Sequence, residues 1–384
     1  MNAKVETGLD QRTKRRRAGG QTITDVARHA GVSPMTVSRV INGEKNVREA
    51  TRDRVSEAIR ELGYAPNAAA RSLASARAIS VGLLYSNPSA AYLSEFLLGS
   101  LDQCSRSGFQ LVVQKCDTEE AELRAVDRLV AAGVDGVILP PPLCDASAIV
   151  EGLSLAGLPT VVVATGKPPV SASAIRIDDF HAAEAMTQHL IERGHRRIGF
   201  IRGHPNQTAS AQRYEGYVAA LAAEGIAVDP DLVAQGFFTY HSGRDAADRL
   251  LSLQGAPTAI FASNDDMAAA TIAVAHRLGL DVPRDLTVCG FDDTALATTV
   301  WPELTTIRQP VSEMSRNAVL LLAEAIRRKS SGQAAKPVDE IMPYHLILRQ
   351  SDGPPIRVGS KPTKAKPVKA GQGASRPVRE PDEA

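Results

Sequence analysis

The sequence lacks the features that would place the chain in a membrane or build it around disulfides or metals. Its four cysteines are scattered without CxxC or Cys/His spacing, so neither a disulfide framework nor a zinc site is expected. No apolar run reaches membrane-spanning length, and residues 1–20 lack the apolar stretch of a signal peptide. These absences predict a cytoplasmic protein with no membrane partner.

Catalytic motifs are also missing, since no G-x-S-x-G, P-loop or metal-ligand spacing occurs. Two carboxylate pairs, Asp265/Asp266 and Asp292/Asp293, raise the alternative of a glycosidase, because such enzymes use two acids. Residues adjacent in sequence seldom face one another across a bond. We therefore expect no enzyme, no metal and no cofactor.

Net charge is close to zero, but it is unevenly distributed. The 44 Lys and Arg against 43 Asp and Glu give +1 overall, whereas residues 1–77 carry +7, residues 78–350 carry −9 and residues 351–384 carry +3. Positive charge collected in one small region is typical of binding to the phosphate backbone of nucleic acid. A solvated basic face is the plainer alternative.

The basic region continues into a helix-rich stretch with recognisable breaks. We expect Thr24 to cap a first helix through Ala30 and Gly31 to supply a tight turn. Ser33 followed by Pro34 predicts the start of a second helix running to about Asn42. A third helix is expected over residues 48–62.

Small and apolar residues in this stretch meet the requirements of a helix-turn-helix. Ala27 is small where two helices would cross, Gly31 lies in the turn, and Val37 and Val40 would lock the second helix. Residues 64–78 predict a further short helix with only Leu73 to bury, which is marginal alone in water and needs a partner.

From Ile79 onward, apolar runs alternate with helical spans. Near-continuous apolar strands separated by helices indicate parallel sheets covered on both faces, and two successive sets imply two α/β lobes. We expect the chain to cross between lobes near residues 177–180 and again near 306–310, and the tail from Ser351 to be disordered. The expected strands cover 80–85, 110–114, 136–140, 160–164, 198–202, 259–262 and 286–291.

Residues 22–43, TITDVARHAGVSPMTVSRVING, closely resemble the head of LacI/GalR-type repressors, as do Tyr64-Ala65-Pro66-Asn67 and Ala70-Arg71-Ser72-Leu73. The resemblance continues to about Arg349. It implies an α/β protein with an all-α helix-turn-helix head and a two-lobed, periplasmic-binding-protein-like body of parallel sheets. The implied divisions are a disordered arm (1–20), the head (21–64), a hinge helix (65–78), the effector-binding and dimerisation body (79–350) and a disordered tail (351–384).

The resemblance also implies residue roles in DNA binding. Pro34, Met35 and Arg39 take the positions that face base edges, and Arg39 can bond a guanine bidentately. A wedge into the minor groove is implied for Leu73, where unstacking a base step is offset by wider contact. Phosphate contacts that set register, or simple solvation of a helix face, are the alternatives for Thr36 and Ser38. The further implied DNA contacts are Thr22, Asn42 and Asn67.

Effector-binding residues are expected where polar side chains follow strands, as in two-lobed binding proteins. The resemblance places Arg213, Asn264 and Asp292 against the ligand, a set suited to vicinal hydroxyls or a small anion. Further candidates, each of which has a core or surface role as its alternative, are Phe238, Tyr92, Trp301 and Asp178. His195 is interpreted as part of a turn before a strand.

Together these features predict a homodimeric repressor that leaves a pseudo-palindromic operator when a sugar binds between its lobes. A corepressor-assisted repressor that responds to a non-sugar metabolite is one alternative. The other is a sugar-binding transport protein, which the DNA-binding head and the missing signal peptide disfavour. The Lys/Pro-rich end of the chain does not resemble an apolar-heptad tetramerisation tail, so a dimer is expected rather than a tetramer.

Overall fold

The chain folds into two compact units, residues 1–78 and residues 79–384. A computed structural model describes residues 22–41, 47–62, 78–116, 119–333 and 336–355. The described part of the first unit contains three helices, α1 (Ile23–Ala30), α2 (Pro34–Ile41) and α3 (Glu49–Glu61). The three helices expected from the sequence are therefore present. The expected end of the second at Asn42 lies outside the described residues.

The cap of α1 differs from the expectation. Thr22, not Thr24, is the N-cap: its hydroxyl accepts the Asp25 amide at 3.3 Å, and Asp25 in turn accepts the Thr22 amide at 3.0 Å. This reciprocal capping box satisfies two amides that the helix leaves without partners. Gly31 ends α1 with φ of +64°, a left-handed conformation that favours glycine, so the expected tight turn is confirmed.

A small apolar core holds the three helices together. Val26, Ala27, Val37, Val55 and Ala58 are buried in it. Ala27 was expected where two helices cross, and Val37 and Val40 were expected to lock the second helix. Ala27 and Val37 are buried in this core, and Val40 packs against it partly buried. The opposite side of α2 carries the exposed residues Pro34, Met35 and Arg39.

The second unit alternates strands and helices. In chain order they are β1 (Ser80–Tyr85), α4 (Ala90–Ser107), β2 (Gln110–Lys115), α5 (Glu119–Ala132), β3 (Gly136–Leu139), α6 (Ser147–Leu155), β4 (Thr160–Val163), β5 (Ser173–Arg176), α7 (Asp179–Glu192), β6 (Ile198–Arg202), α8 (Thr208–Ala223), β7 (Val233–Gln235), α9 (Tyr240–Leu251), β8 (Ala259–Ala262), α10 (Asp265–Arg277), β9 (Thr287–Asp292), α11 (Leu296–Thr299), β10 (Thr305–Arg308), α12 (Val311–Ser330), β11 (Asp339–Ile341) and β12 (His345–Ile347), with 3₁₀ turns at Leu143–Asp145 and Pro230–Leu232.

The strands form two six-stranded sheets, one in each lobe. The N-lobe sheet has the order β11-β5-β4-β3-β1-β2, and the C-lobe sheet has the order β12-β10-β9-β8-β6-β7. All pairings are parallel except that of β10 with β12. Strands β3, β4 and β8 are buried along their whole length, as expected for a parallel sheet covered on both faces.

The chain crosses between the lobes three times within the described residues. The first two crossings follow β5 and β10, at the positions expected from the sequence. The third lies between β11 and β12 and was not predicted. Strands of three residues with partly exposed side chains carry no apolar run that would reveal them, and β7 was missed for the same reason. β5 (SAIR) and β10 (TTIR) are largely buried, but they were missed because each contains too few large apolar residues to form an apolar run.

The expectation of disorder from Ser351 onward is wrong for the first residues of the tail. Ser351 and Asp352 are buried, and the Ser351 hydroxyl donates to the Val288 carbonyl at 2.6 Å. Gly353 accepts a hydrogen bond at 2.9 Å from the Thr287 hydroxyl. Polar residues pack here because each finds a buried partner on the C-lobe sheet.

Among the described residues, no helix is both long enough and apolar enough to cross a membrane. Within the same residues, no group of three or more His, Cys, Asp or Glu side chains is placed to hold a metal ion. All four cysteine side chains are buried.

Candidate functional site

A pocket between the two lobes brings together most of the residues singled out for ligand binding. Arg213, Asn264, Asp292, Phe238 and Tyr92 all line it. Tyr92 comes from the N-lobe helix α4, and the other four come from the C-lobe. The remaining lining residues are Asn87, Pro88, Ser89, Pro141, Ala164, Gln207, Ala209 and Gln309.

Arg213 is held rigidly inside this pocket. It lies on α8, and its Nε donates to Asp179 Oδ1 at 2.8 Å while its Nη1 donates to the Ser263 carbonyl at 2.5 Å. The guanidinium carbon lies 3.6 Å from the centre of the Phe291 ring, so the cation also stacks on an aromatic face. Its charge is therefore already balanced by protein groups.

Asp292 is the second charged group of the pocket. It ends β9, lies 3.7 Å from Arg213 Nη1 and accepts a hydrogen bond at 2.6 Å from Gln309 Nε2. Burial raises the pKa of Asp292 to about 7, although Arg213 and Gln309 act in the opposite direction. The carboxyl group can therefore change its protonation near neutral pH.

Backbone strain is concentrated at the same place. Ala164, Phe238 and Asp292 line the pocket with φ of +57°, +60° and +112°, and the neighbouring Asp293 has φ of +58°. Each such conformation costs a non-glycine residue about 1–3 kcal/mol, persists only where the surrounding structure enforces it, and is concentrated at functional sites. The strain thus marks this pocket as a functional site independently of its side-chain chemistry.

Two buried polar atoms of the pocket lining lack protein partners. The Tyr92 hydroxyl and the Gln309 Oε1 have no hydrogen-bond partner among the described residues. Asn264, by contrast, is satisfied by protein: its Oδ1 accepts the Met267 amide at 3.0 Å and its Nδ2 donates to the Phe238 carbonyl at 3.1 Å. A polar ligand would satisfy the first two groups, while Asn264 also fixes the pocket wall.

Two expected ligand residues lie elsewhere. Asp178 does not line the pocket, because it caps α7 by accepting the His181 amide at 3.1 Å. Trp301 is 74% exposed and lies outside the pocket lining. His195 is buried between Thr258 and Gly353, in agreement with a turn role rather than ligand binding.

Sequence reasoning missed several lining residues, of which Gln309 is the most informative. It directly follows β10, as Asp292 ends β9, so its position after a strand was a usable signal. Asp179 was also missed, because its pairing with Arg213 joins residues 34 positions apart. Asn87, Ser89 and Gln207 carried no local signal.

The adjacent carboxylates that raised the glycosidase alternative are engaged by protein groups. Asp265 accepts the Thr294 amide at 2.8 Å and the Thr306 hydroxyl at 2.7 Å. Asp293 lies 2.6 Å from both Arg308 and Arg349. Their oxygens hold loops and strand ends together rather than facing one another across a pocket.

The head presents part of the predicted DNA-contacting set on one helix. Pro34, Met35 and Arg39 of α2 are exposed, Met35 to 63%. Thr36 and Ser38 are half-buried, and the Thr36 hydroxyl lies 2.9 Å from that of Ser33. The Thr22 hydroxyl donates to Asp25 within the capping box. Asn42, Asn67 and Leu73 lie outside the described residues.

A three-helix unit with an exposed second helix, and a two-lobed body with a strained polar pocket, define the class of ligand-responsive, DNA-binding regulators. Comparison with known proteins supports this class for both the head and the two-lobed body. Residues 22–67 match the model for bacterial regulatory proteins of the lacI family, and residues 187–351 match that for a periplasmic binding protein-like domain. Catabolite control protein A of Priestia megaterium is 35% identical over 332 residues, covering 86% of this chain and 98% of that protein. The chain belongs to the LacI family and is a DNA-binding transcriptional regulator.

Solved structures agree with this assignment. A transcriptional regulator CelR–cellobiose complex superposes with a TM-score of 0.66 at 35% identity, covering 86% of this chain and 99% of that one. A lac repressor dimer bound to operator and the anti-inducer ONPF superposes with a TM-score of 0.67 at 28% identity, covering 87% and 100%. The relatives are regulators of transcription rather than enzymes.

Proposed function

We propose that this regulator is a cytoplasmic, homodimeric repressor that leaves a pseudo-palindromic operator when a neutral or weakly charged sugar binds between its lobes. The proposal that a sugar binds between the lobes rests on the pocket itself. Arg213 and Asp292 supply charge-assisted hydrogen bonds, and Tyr92 and Gln309 offer polar atoms without protein partners. The cellobiose complex of the similar regulator CelR supports a sugar as ligand.

The proposal that the head binds operator DNA rests on the exposed residues of α2 and on the positive charge of residues 1–77. We propose that Pro34, Met35 and Arg39 face base edges, and that Thr36, Ser38, Asn42, Thr22 and Asn67 set the register on phosphates. Leu73 would wedge into the minor groove. A dimer bound to operator in a similar repressor supports two heads acting on one site.

The first experiment is a thermal-shift screen of the purified protein against sugars, sugar phosphates and purines. A ligand at a hundred times its dissociation constant should stabilise the protein by ~2.7 kcal/mol. We expect a sugar to raise Tm and to release the protein from DNA sites selected from a random duplex library. A purine that strengthens DNA binding would instead establish the corepressor alternative.

The variants Arg213→Ala and Asp292→Ala should abolish the thermal shift caused by the sugar. Arg284→Ala and Asp245→Ala are matched controls, because they remove the same charges from exposed positions of the C-lobe. The absence of any shift across the panel, or equal loss in the control variants, would contradict the proposed pocket.

A further inference from the structure

One helix of the C-lobe receives its N-terminal cap from the N-lobe. The residue before α8, Gln207, provides no side-chain cap. Asp145, in the 3₁₀ turn that follows β3, instead accepts the Thr208 amide at 2.8 Å through Oδ2. A carboxylate at a helix N-terminus satisfies an amide that has no partner within the helix and interacts favourably with the helix dipole.

The same contact hydrogen-bonds a half-buried hydroxyl of one lobe to two groups of the other. Thr208 Oγ1 donates to Asp145 Oδ1 at 2.8 Å and accepts the Gly166 amide at 2.8 Å. Thr165 completes the network by donating to Asp145 Oδ1 at 2.6 Å. Asp145, Thr165 and Gly166 belong to the N-lobe and Thr208 to the C-lobe, so all but one of these bonds join the two lobes.

Gly166 allows the lobes to approach this closely. A Cβ atom there would lie 2.7 Å from the carbonyl carbon and oxygen of Thr208 and 2.8 Å from the amide of Ala209. These are backbone atoms, which cannot move aside as a flexible side chain does. Even one methyl group at position 166 is therefore incompatible with the present separation of the lobes.

The contact also adjoins the effector pocket. Thr208 lies between Gln207 and Ala209, both of which line the pocket, and Thr165 follows the lining residue Ala164. Arg213 is on the helix that Asp145 caps. Separation of the lobes would thus uncap the helix that carries the main charged group of the pocket.

We propose that Asp145, Thr208 and Gly166 form an inter-lobe latch that sets the equilibrium between closed and open lobes, with Asp145 as a positioning residue for effector binding. The predicted effect of the latch on effector binding rests on the proposed function, whereas its predicted effect on lobe separation does not. Because a ligand held by both lobes binds the closed form, its apparent dissociation constant rises as the closed population falls.

Lobe separation is measured directly by electron–electron distance spectroscopy, without effector or DNA. Spin labels at Leu155→Cys in the N-lobe and His241→Cys in the C-lobe react selectively, because the native cysteines are buried. Labelled protein is diluted into unlabelled protein, so that distances are read within one chain. Loss of a helix cap predicts that Asp145→Ala raises the open-to-closed ratio roughly 2- to 30-fold.

Gly166→Ala should open the lobes by steric exclusion while leaving the Asp145 carboxylate in place. Thr208→Val replaces the hydroxyl with a methyl group of similar size, and combining it with Asp145→Ala should change the ratio by less than the product of the single effects. These two variants keep the proposal testable if Asp145→Ala folds poorly.

The control variants alter matched groups that stay within the N-lobe. Asp135→Ala removes a carboxylate that accepts the Ser80 amide, and Gly152→Ala adds a methyl group whose nearest neighbour is Val126 at 3.8 Å. Both should retain the parent distance distribution. A parent-like distribution in Asp145→Ala and Gly166→Ala overturns the latch, whatever the thermal screen finds. A screen without hits, combined with opened lobes, removes only the proposed sugar response.

Discussion

Asp292 shows how the fold changes the chemistry of a single residue. The unfolded chain releases the proton of this carboxyl near its ordinary pKa of 3.8, whereas burial holds it in the folded chain up to about 7. Between these values the folded state binds more protons than the unfolded state. The contribution of Asp292 to the free energy of unfolding therefore falls as pH rises through this window.

Asp292→Asn removes this titration. Relative to the parent, the variant should gain stability between about pH 5 and about pH 8, on the order of 2 kcal/mol. Urea unfolding at several pH values measures the difference. Asp245→Asn, at an exposed position of the same lobe, controls for the loss of one charge and should show no such trend. A pH-independent difference for Asp292→Asn would contradict the raised pKa.

Tyr92 offers a second test at the scale of one residue. Its buried hydroxyl has no hydrogen-bond partner among the described residues, so Tyr92→Phe removes an atom whose burial is unfavourable. We expect Tyr92→Phe to leave Tm unchanged or raised and to weaken binding of the sugar found by thermal shift. Isothermal titration measures the latter. Unchanged affinity would place the hydroxyl outside ligand contact.

At the scale of elements, Asp352 attaches the end of the described chain to the C-lobe. Its buried carboxylate accepts the Thr305 hydroxyl at 2.5 Å and lies 2.8 Å from His189 and 3.2 Å from Arg193. Burial alone would raise the pKa of Asp352, but hydrogen bonds from His189 and Thr305 hold it below its usual value. The carboxylate therefore stays ionised and keeps residues 351–353 on the sheet.

Asp352→Ala should lower the free energy of unfolding by about 3 kcal/mol, because it leaves buried polar groups unpaired. Asp339→Ala is the matched control: its pair with Arg176 is partly exposed, and we expect a loss of about 1 kcal/mol or less. Urea denaturation compares the two variants. Similar losses would mean that the buried cluster contributes no more than a surface pair.

Elements with strong local patterns were predictable, and those defined by tertiary contacts were not. Strands 80–85, 198–202 and 259–262 were predicted with their observed ends, because long apolar runs mark buried parallel strands. The three-residue strands β11 and β12 have partly exposed side chains and are recognised as strands only from their pairing.

In the pocket, Arg213 and Asp292 were identified by resemblance to a family. Asp145, beside the pocket, was not identified, because its partner Thr208 is 63 residues away in the sequence.

At the scale of the whole molecule, charge and fold divide along the same line. Residues 1–77 carry +7 and residues 78–350 carry −9, and the boundary between the two compact units falls after residue 78 in the sequence. Counterion release by the head should dominate DNA affinity, while the acidic body is repelled by phosphate.

A fragment beginning at Ala78 should therefore keep the sugar-induced thermal shift and lose DNA binding altogether. Fluorescence anisotropy with a labelled duplex, at several salt concentrations, measures binding for the fragment and for the full chain. The full chain should show a steep fall of affinity with salt. A fragment that retains comparable affinity would contradict the assignment of DNA binding to the head.

Because the chain passes between the lobes three times, the head and the two sheets of the body are completed at different times during synthesis. The helices of the head are complete by Glu61, but β11 and β12 end only at Ile341 and Ile347, so neither sheet can be finished earlier. At about 5–20 residues per second, roughly 15–60 s separate the two events. During that interval a nascent chain carries the completed helices of the head before either sheet of the body can be finished.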